Sequence, residues 1–202
     1  MAAGRGWLRG ATPLVALGLV LSLALGLAGC GRAKPPVFNL SEQSGRSVLL
    51  PARLGWVSSE GESGALPSAV ALGGQASGRV LLYFEFAASE PGRRLLRAEL
   101  VVTVSGAPGT SIRVELSRAE PARKELRRWS DQPRARYPRL SATLAVDGAP
   151  ARLGVTEIVR AETKPGEPLR MLLRAEPDAA ESLSIETGAA GGGIPRLEAY
   201  WE

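Results

Sequence analysis

Alternation of apolar and polar residues is the feature of this sequence that most constrains its fold. From Gly78 onward, segments such as "RVLLYFEF" and "LLRAELVVTV" have an apolar residue at every second position. A period of two places alternate side chains on opposite faces of an extended chain, so these segments predict β-strands with one buried face. The positions expected to share a face are Val80, Leu82, Phe84 and Phe86 in the first segment, and Leu96, Ala98, Leu100, Val102 and Val104 in the second.

Segments of the same kind recur along the chain and are separated by glycine and proline, with one helical turn expected at "VTEIVRA". About nine short strands with turn signals between them predict an all-β fold, a two-sheet jelly-roll-like β-sandwich. Glutamates that alternate with apolar residues in these strands are expected on the solvated face. The other predicted strands are 53–58, 69–72, 112–116, 140–146, 169–174, 183–185 and 197–201.

The first 29 residues have the three zones of a secretory signal peptide. Arg5 and Arg9 precede an apolar run, "TPLVALGLVLSLALGL", which ends at the small residues Ala28 and Gly29. The run is shorter than the roughly 20 residues that a spanning helix needs, and an uncleaved membrane anchor is the alternative interpretation. Removal of residues 1–29 takes away two arginines and no acidic residue, so the formal charge falls from +5 to +3.

Cys30 is the only cysteine of the chain and directly follows this segment. A single cysteine cannot form an internal disulfide. The sequence Leu27-Ala28-Gly29-Cys30 resembles the lipobox of bacterial lipoproteins. The resemblance implies cleavage before Cys30 and attachment of acyl chains such as palmitate to that residue, which would anchor an exported protein to the cell envelope. Gly31 stands where an aspartate retains some lipoproteins at the inner membrane, so the resemblance favours the outer membrane and leaves the face open.

Three regions follow from these patterns. Residues 1–29 are predicted to be a signal peptide, and residues 30–46 the lipidated cysteine and a flexible tether. The tether is polar and contains the pair Pro35-Pro36, which favours an extended linker over a packed element. Residues 47–202 are predicted to be the β-sandwich, and they are enough for one domain with a core.

Five segments of residues 69–202 resemble, in order, the DNRLRE or disaggregatase-related β-sandwich family. The segments are "RVLLYFEF", "LLRAELVVTV", "WSDQP", "GVTEIVRA" and "PRLEAYW". The resemblance implies a jelly-roll-like domain of secreted and surface proteins, some of which bind carbohydrate. The chain departs from the family pattern at Arg128, Ser130, Asp131 and Gly154, so a ligand or ion bound at those positions in relatives is not expected here.

Catalytic and metal chemistry have little support in the residue types. The chain has no histidine to act as a base near neutral pH, and its one thiol is expected to be acylated. Aspartate occurs only at positions 131, 147 and 178, without the clustering of a metal site. We therefore predict no enzyme activity, no cofactor and no metal site. A glycosidase-type carboxylate pair stays open, because its two acids need not be close in sequence.

A basic segment precedes the strand at residues 140–146. Its cations are Arg123, Lys124, Arg127, Arg128, Arg134, Arg136 and Arg139. Nearby acids are few, so most of these cations are expected to face water as a positive patch. An exported protein has little access to nucleic acid, and an acidic polysaccharide is the expected polyanion. A solvated surface in an arginine-rich chain is the alternative.

Four residues are the candidates for ligand binding. They are Arg134 and Arg136 in the basic segment, and the aromatic residues Trp56 and Tyr137, which lie in less regular segments. Trp129, at the "WSDQP" turn, is expected to pack against the core instead. The function predicted is a non-catalytic, lipid-anchored envelope protein that binds glycan or another component of the cell envelope through its β-sandwich. The alternative is a structural or assembly lipoprotein that binds a protein partner, which an exposed apolar sheet face would favour.

Overall fold

The alternating segments are antiparallel β-strands in the structure, a computed structural model. It describes residues 45–61, 63–74, 79–87, 94–123, 125–162, 166–189 and 193–202. These residues include twelve strands, one α-helix, α1 (Thr156–Glu162), and one 3₁₀ turn (Trp129–Asp131). The strands are β1 (Arg46–Leu49), β2 (Pro51–Ser58), β3 (Ala69–Gly73), β4 (Val80–Phe86), β5 (Leu95–Val102), β6 (Val104–Ser105), β7 (Ser111–Ala119), β8 (Ala135–Ala145), β9 (Ala151–Gly154), β10 (Leu169–Ala175), β11 (Ser182–Glu186) and β12 (Arg196–Trp201).

The strands form three antiparallel sheets. A five-stranded sheet has the order β2-β4-β10-β7-β8, a four-stranded sheet the order β1-β12-β5-β9, and a three-stranded sheet the order β3-β11-β6. Only Thr103 separates β5 from β6, so the second layer of the expected two-sheet sandwich is divided at this residue. The all-β sandwich prediction is confirmed, with its second layer built from two sheets.

The main hydrophobic core lies between the five-stranded sheet and the other two sheets. Phe84, Met171 and Leu116 come from the first layer, and Leu100 and Ile185 from the second, and all five are fully buried. These residues stand at the alternating positions of their strands, as a period of two requires. The helix α1 covers one part of this core with Ile158 and Val159, in agreement with the predicted helical turn.

The outer face of the five-stranded sheet is also buried in part. Leu81 and Tyr83 alternate with the core residues of β4, yet their exposed fractions are 2% and 0%. They form a second cluster with Val57, Ala119, Leu126 and Leu172. Tyr83 donates a hydrogen bond to Oε2 of Glu85 at 2.6 Å, and burial, followed by this contact, raises the pKa of the phenol. The expectation that one sheet face is solvated is therefore wrong where the chain folds back over it.

A register shift corrects the prediction for Leu96. Leu95 is buried and pairs with Trp201, whereas Arg97 pairs with Tyr200, so an irregularity in the ladder places one extra residue between these pairs. Such a bulge leaves one residue unpaired and turns its side chain away from the alternating pattern. Leu96 is 49% exposed and does not share the face of Ala98 and Leu100.

The strand prediction missed two short strands and one division. The structure has twelve strands in its described residues where about nine were predicted. β1 and β9 have four residues each, which is too short for a period to be recognised. β6 contains Val104, which was predicted to belong to the same strand as Leu100 and Val102. The first predicted strand, 53–58, begins two residues earlier, at Pro51. β1 begins at Arg46, the last residue of the predicted tether.

Candidate functional site

The basic segment begins with a loop that lies on the outer face of the five-stranded sheet. We call residues 120–134, which connect β7 to β8, the basic loop. The N–H of Glu120 donates to the carbonyl oxygen of Arg134 at 3.0 Å and closes the base of the loop. Leu126 and Trp129 then pack on the cluster around Tyr83, so apolar contacts attach the loop to the sheet.

Strand β2 accommodates this loop at close range. A Cβ atom on Gly55 would lie 2.9 Å from Cδ1 of Leu126, so the small residue permits the approach. Nη1 of Arg53 donates to the carbonyl oxygen of Ala122 at 3.5 Å, and its guanidinium lies over the ring of Tyr83. The loop is therefore held against β2 by polar contacts as well as by packing.

A groove of about 520 Å³ lies where the basic loop meets β2 and the segment 63–66. One end of it is closed by a hydrogen bond of 2.5 Å from the N–H of Ser63 to the carbonyl oxygen of Arg127. Trp56 lies in its lining, is half-buried, and also packs against the main core. The indole N–H of Trp56 is buried without a hydrogen-bond partner in the described part of the chain. We call this feature the Trp56 groove; it is lined by residues 53–56, 63–66 and 125–127.

Three charged side chains give the groove its polar character. Arg53 and Arg127 line it together with Glu125. Nη2 and Nε of Arg127 donate to Oε2 of Glu125 at 2.5 and 3.0 Å, and more than two thirds of both side chains remain exposed. The groove therefore carries guanidinium groups, whereas Trp56 pairs with Leu82 and its indole packs on the core side of the sheet.

The other half of the basic loop forms a second cleft of about 330 Å³. Arg123 and Arg134 line it, and both residues are exposed. Glu120 also lies in the lining, and Arg136 donates to its Oε1 at 2.5 Å through Nη2. This hydrogen bond is the main cause that lowers the pKa of the Glu120 carboxyl, and the charges of Arg134 and Arg123 lower it further. The prediction that the arginines of the basic segment face water is confirmed for the described ones, since Arg123, Arg127, Arg128, Arg134, Arg136 and Arg139 are all exposed.

The four predicted ligand-binding residues do not form one site. Arg134 and Arg136 are neighbours at the base of the basic loop, but Trp56 lies on β2 and Tyr137 on β8. These strands are the opposite edges of the five-stranded sheet. Tyr137 is 78% exposed, and the guanidinium of Arg139 lies 5.5 Å from the centre of its ring. Both aromatic residues belong to strands, contrary to the expectation of less regular segments.

A charged cluster on the outer face of the four-stranded sheet was not predicted from the sequence. Glu99 and Glu198 face each other across β5 and β12 and are 6% and 0% exposed, so the expectation of a solvated position is wrong for both. Nη1 of Arg152 donates to Oε2 of Glu99 at 3.0 Å and to Oε2 of Glu198 at 2.8 Å. The cluster also contains Arg46, Arg97 and Arg196, each in contact with one of these carboxylates.

Charge neutralisation explains how two carboxylates are buried side by side. Burial opposes ionisation of Glu198, but hydrogen bonds from Arg152 and Arg196 outweigh it and lower the pKa of the carboxyl from 4.5 to about 2. The hydrogen bond to Glu198 and, to a smaller extent, the one to Glu99 raise the pKa of the Arg152 guanidinium. A carboxyl with this pKa is ionised at neutral pH and has no proton to donate as a general acid.

Some of the predicted features lie in parts of the chain that the structure does not describe. Cys30, the signal peptide and the tether up to residue 44 lie outside the described residues. Within the described ranges, no helix is long and apolar enough to span a membrane. The same ranges contain no group of three or more histidine, cysteine, aspartate or glutamate residues that would hold a metal ion.

Comparison with known proteins adds no relative. No family model matches the chain, and no curated protein is similar to it. The resemblances to the bacterial lipobox and to the DNRLRE family therefore stay predictions from the sequence.

Proposed function

We propose that this protein is an exported lipoprotein, anchored through Cys30, whose basic loop binds an acidic glycan of the cell envelope without catalysis. The observation that carries this proposal is that one loop lines both the Trp56 groove and the cleft of Arg123 and Arg134. The loop thus offers a series of guanidinium groups along one side of the sandwich.

The charges of the loop fit the acidic groups of a sugar. Guanidinium groups donate paired hydrogen bonds to carboxylate or sulfate. Arg127 is bound to Glu125, so Arg123 and Arg134 are the cations that we assign to the acidic groups of the ligand.

Two observations favour binding over catalysis and over a protein partner. The buried carboxylate pair, Glu99 and Glu198, is bonded to arginines, and the pKa of Glu198 is too low for an acid catalyst. In the described residues, the large exposed hydrophobic side chains are Leu96, Tyr137 and Ile194, and they belong to separate segments of the chain. Single exposed apolar residues are normal on a monomer surface and do not indicate a protein interface.

Retention on glycan resins across a salt series tests the proposal. We expect retention on an acidic polysaccharide resin, little retention on its neutral counterpart, and elution as salt shortens the Debye length below about 8 Å. The double variant Arg123→Gln, Arg134→Gln should elute at clearly lower salt. Arg113→Gln is the matched control, because Arg113 is equally cationic and 73% exposed but lies at the opposite end of β7 from the loop.

Two results on the glycan resins would contradict the proposal. Equal retention on both resins, or an elution that salt does not change, would show that the patch is only a solvated surface. The variants are compared by their melting temperatures first, so that unfolding is not mistaken for lost binding.

A further inference from the structure

The four-stranded sheet carries a second cationic surface, separate from the basic loop. We call it the arginine face: Arg46, Arg97, Arg152 and Arg196 around Glu99 and Glu198. Neighbouring residues Ala98, Leu100, Leu153, Leu197 and Ala199 point into the core, so the charged residues between them point outward. With four cations and two carboxylates, the face has a formal charge of +2.

The strand register shows how the charges are arranged. Glu198 and Glu99 pair directly across β12 and β5, and Gly154 on β9 continues the same row. Arg46 and Arg97 belong to the row on one side, where both align with Tyr200. Arg196 and Arg152 belong to the row on the other side, where both align with Val101. The arginines therefore surround the buried carboxylates at four corners of a sheet surface.

The carboxylates fix these arginines in place. Nη2 of Arg46 lies 3.0 Å from Oε2 of Glu198, and Nε of Arg196 lies 3.0 Å from its Oε1. Each of the four arginines contacts a carboxylate through one nitrogen, while the exposed fraction of their side chains ranges from 34% to 65%. A guanidinium has five N–H donors, so most donors are left for a ligand. Cations already held in position lose little entropy on binding.

We propose that the arginine face docks on the anionic headgroups of the membrane that holds the lipid anchor. This inference rests on the proposed anchorage at Cys30. Arg46 lies only 16 residues after Cys30, and a fully extended chain of that length spans at most about 55 Å. Arg46 belongs to β1, which is the first described strand after the proposed anchor.

The shape of the face and its place in the sandwich favour a membrane over a single polymer chain. None of the clefts described above is lined by its arginines, so the surface is suited to a flat array of phosphate groups. The basic loop covers the outer face of the opposite sheet. Docking through the arginine face would therefore direct the basic loop away from the bilayer and towards the glycan that we propose as its ligand.

Headgroup quenching tests this orientation with the full-length lipidated protein in vesicles. A fluorophore is attached at Gly154→Cys, where open space surrounds the position of a Cβ, or at Ser130→Cys, an exposed position in the basic loop. The vesicles contain phosphatidylcholine with or without phosphatidylglycerol, and a headgroup quencher. We expect strong quenching at position 154 and weak quenching at position 130. The strong quenching at position 154 should require phosphatidylglycerol and low salt.

Variants of single arginines test whether the quenching at position 154 depends on the arginine face. Arg97→Gln, which replaces the most exposed arginine of the face, should lower the docked fraction about fivefold, the effect of one cation near an anionic surface. Arg113→Gln, a matched loss of charge at an arginine that is 73% exposed and belongs to neither cationic surface, should leave quenching unchanged. Unfolding curves of the variants are measured first, and only variants with the parent stability are compared.

Three results would overturn the proposal: equal quenching at both positions, quenching that does not depend on phosphatidylglycerol, or no effect of Arg97→Gln. If Arg97→Gln instead lowers retention on an acidic polysaccharide resin, the face binds glycan and not lipid. Failure of the anchorage itself is detected separately, because the protein would then lack the mass of the acyl chains and would not float with the vesicles.

Discussion

Glu198 shows how a single side chain acquires its properties from neighbours that are distant in sequence. Its carboxylate has no exposed surface and is in contact with Arg46, Arg152 and Arg196. A buried carboxylate without partners would have a raised pKa, because burial penalises the charged form. Here the arginines reverse the direction of the shift. Glu198 is therefore a stabilising anion within the sheet as long as it is ionised.

We predict that this carboxylate makes the stability of the protein depend on acid. The folded pKa of about 2 is below the ordinary value of 4.5, so the unfolded chain takes up the proton first. The contribution is complete above the unfolded pKa and is lost as the pH falls from 4.5 towards 2. A shift of this size corresponds to a free energy on the order of 3 kcal/mol. Urea unfolding at about pH 7 and about pH 3 measures the loss.

Two variants isolate the part that belongs to Glu198. Glu198→Gln cannot titrate, so it should be less stable than the parent at neutral pH and should lose less stability in acid. Glu157→Gln is the control, because Glu157 also pairs with an arginine but is 62% exposed. Exposed pairs of this kind contribute about 0–1 kcal/mol. An unchanged acid dependence in Glu198→Gln would contradict the assignment.

The basic loop shows how an element without regular structure is held by a sheet. Its anchors are Leu126, which is buried, and Trp129, which is half-buried, and both pack on the outer face of β4 and its neighbours. Its arginines point away from these anchors into water. The loop is thus positioned by apolar contacts and leaves its charges available to a ligand, which is the division of roles that the proposed function requires.

We predict that Trp129→Ala destabilises the protein by roughly 1–3 kcal/mol, below the cost of about 3–5 kcal/mol for a fully buried tryptophan. The free energy is lost because the apolar contacts of the indole with the Tyr83 cluster are removed. Tyr137→Ala is the matched control, since Tyr137 is 78% exposed and its loss should change stability little. Urea unfolding of both variants measures the difference. If Trp129→Ala kept the parent stability but lost retention on the acidic resin, Trp129 would be a ligand-binding residue.

The whole protein is predicted to combine an anchor at one end with a sandwich whose two outer faces differ. One outer face carries the basic loop, and the other carries the arginine face, with the core between them. A cationic surface on each side allows a domain of this size to contact two different anionic layers. The predicted anchor at Cys30 decides which of these layers is the membrane.

We predict that Cys30→Ser leaves a longer, unprocessed precursor that does not incorporate labelled fatty acid. A thioether requires the sulfur of cysteine, which is far more nucleophilic than a serine hydroxyl. Gly31→Asp is the companion variant: it should be acylated normally but should fractionate with the inner membrane, in line with the lipoprotein resemblance. Metabolic labelling and membrane fractionation measure both results. Normal acylation of the Cys30→Ser protein would refute the lipid anchor.

The sequence by itself determined the class of fold and the exposure of the basic segment. Strands such as β7 and β10 alternate with a period of two, and this local pattern is set by backbone geometry. The seven cations of the basic segment outnumber the acids near them in sequence, so their exposure follows from the cost of burying an unpaired charge. The helix α1 was predicted for a similar reason, since its apolar spacing is local.

Only the tertiary structure decided which sheet faces are covered and which charges meet. Two of the three arginines that contact Glu198 are Arg46 on β1 and Arg152 on β9, and no local pattern indicates that these strands flank the pair β12 and β5. The burial of Leu81 and Tyr83 depends on a loop some 40 residues further along the chain. The outward turn of Leu96 depends on a register shift opposite Trp201. Each of these features arises from contacts between distant segments. Alternation of apolar and polar residues distinguishes the two faces of a strand, but it does not indicate which other segment packs against each face.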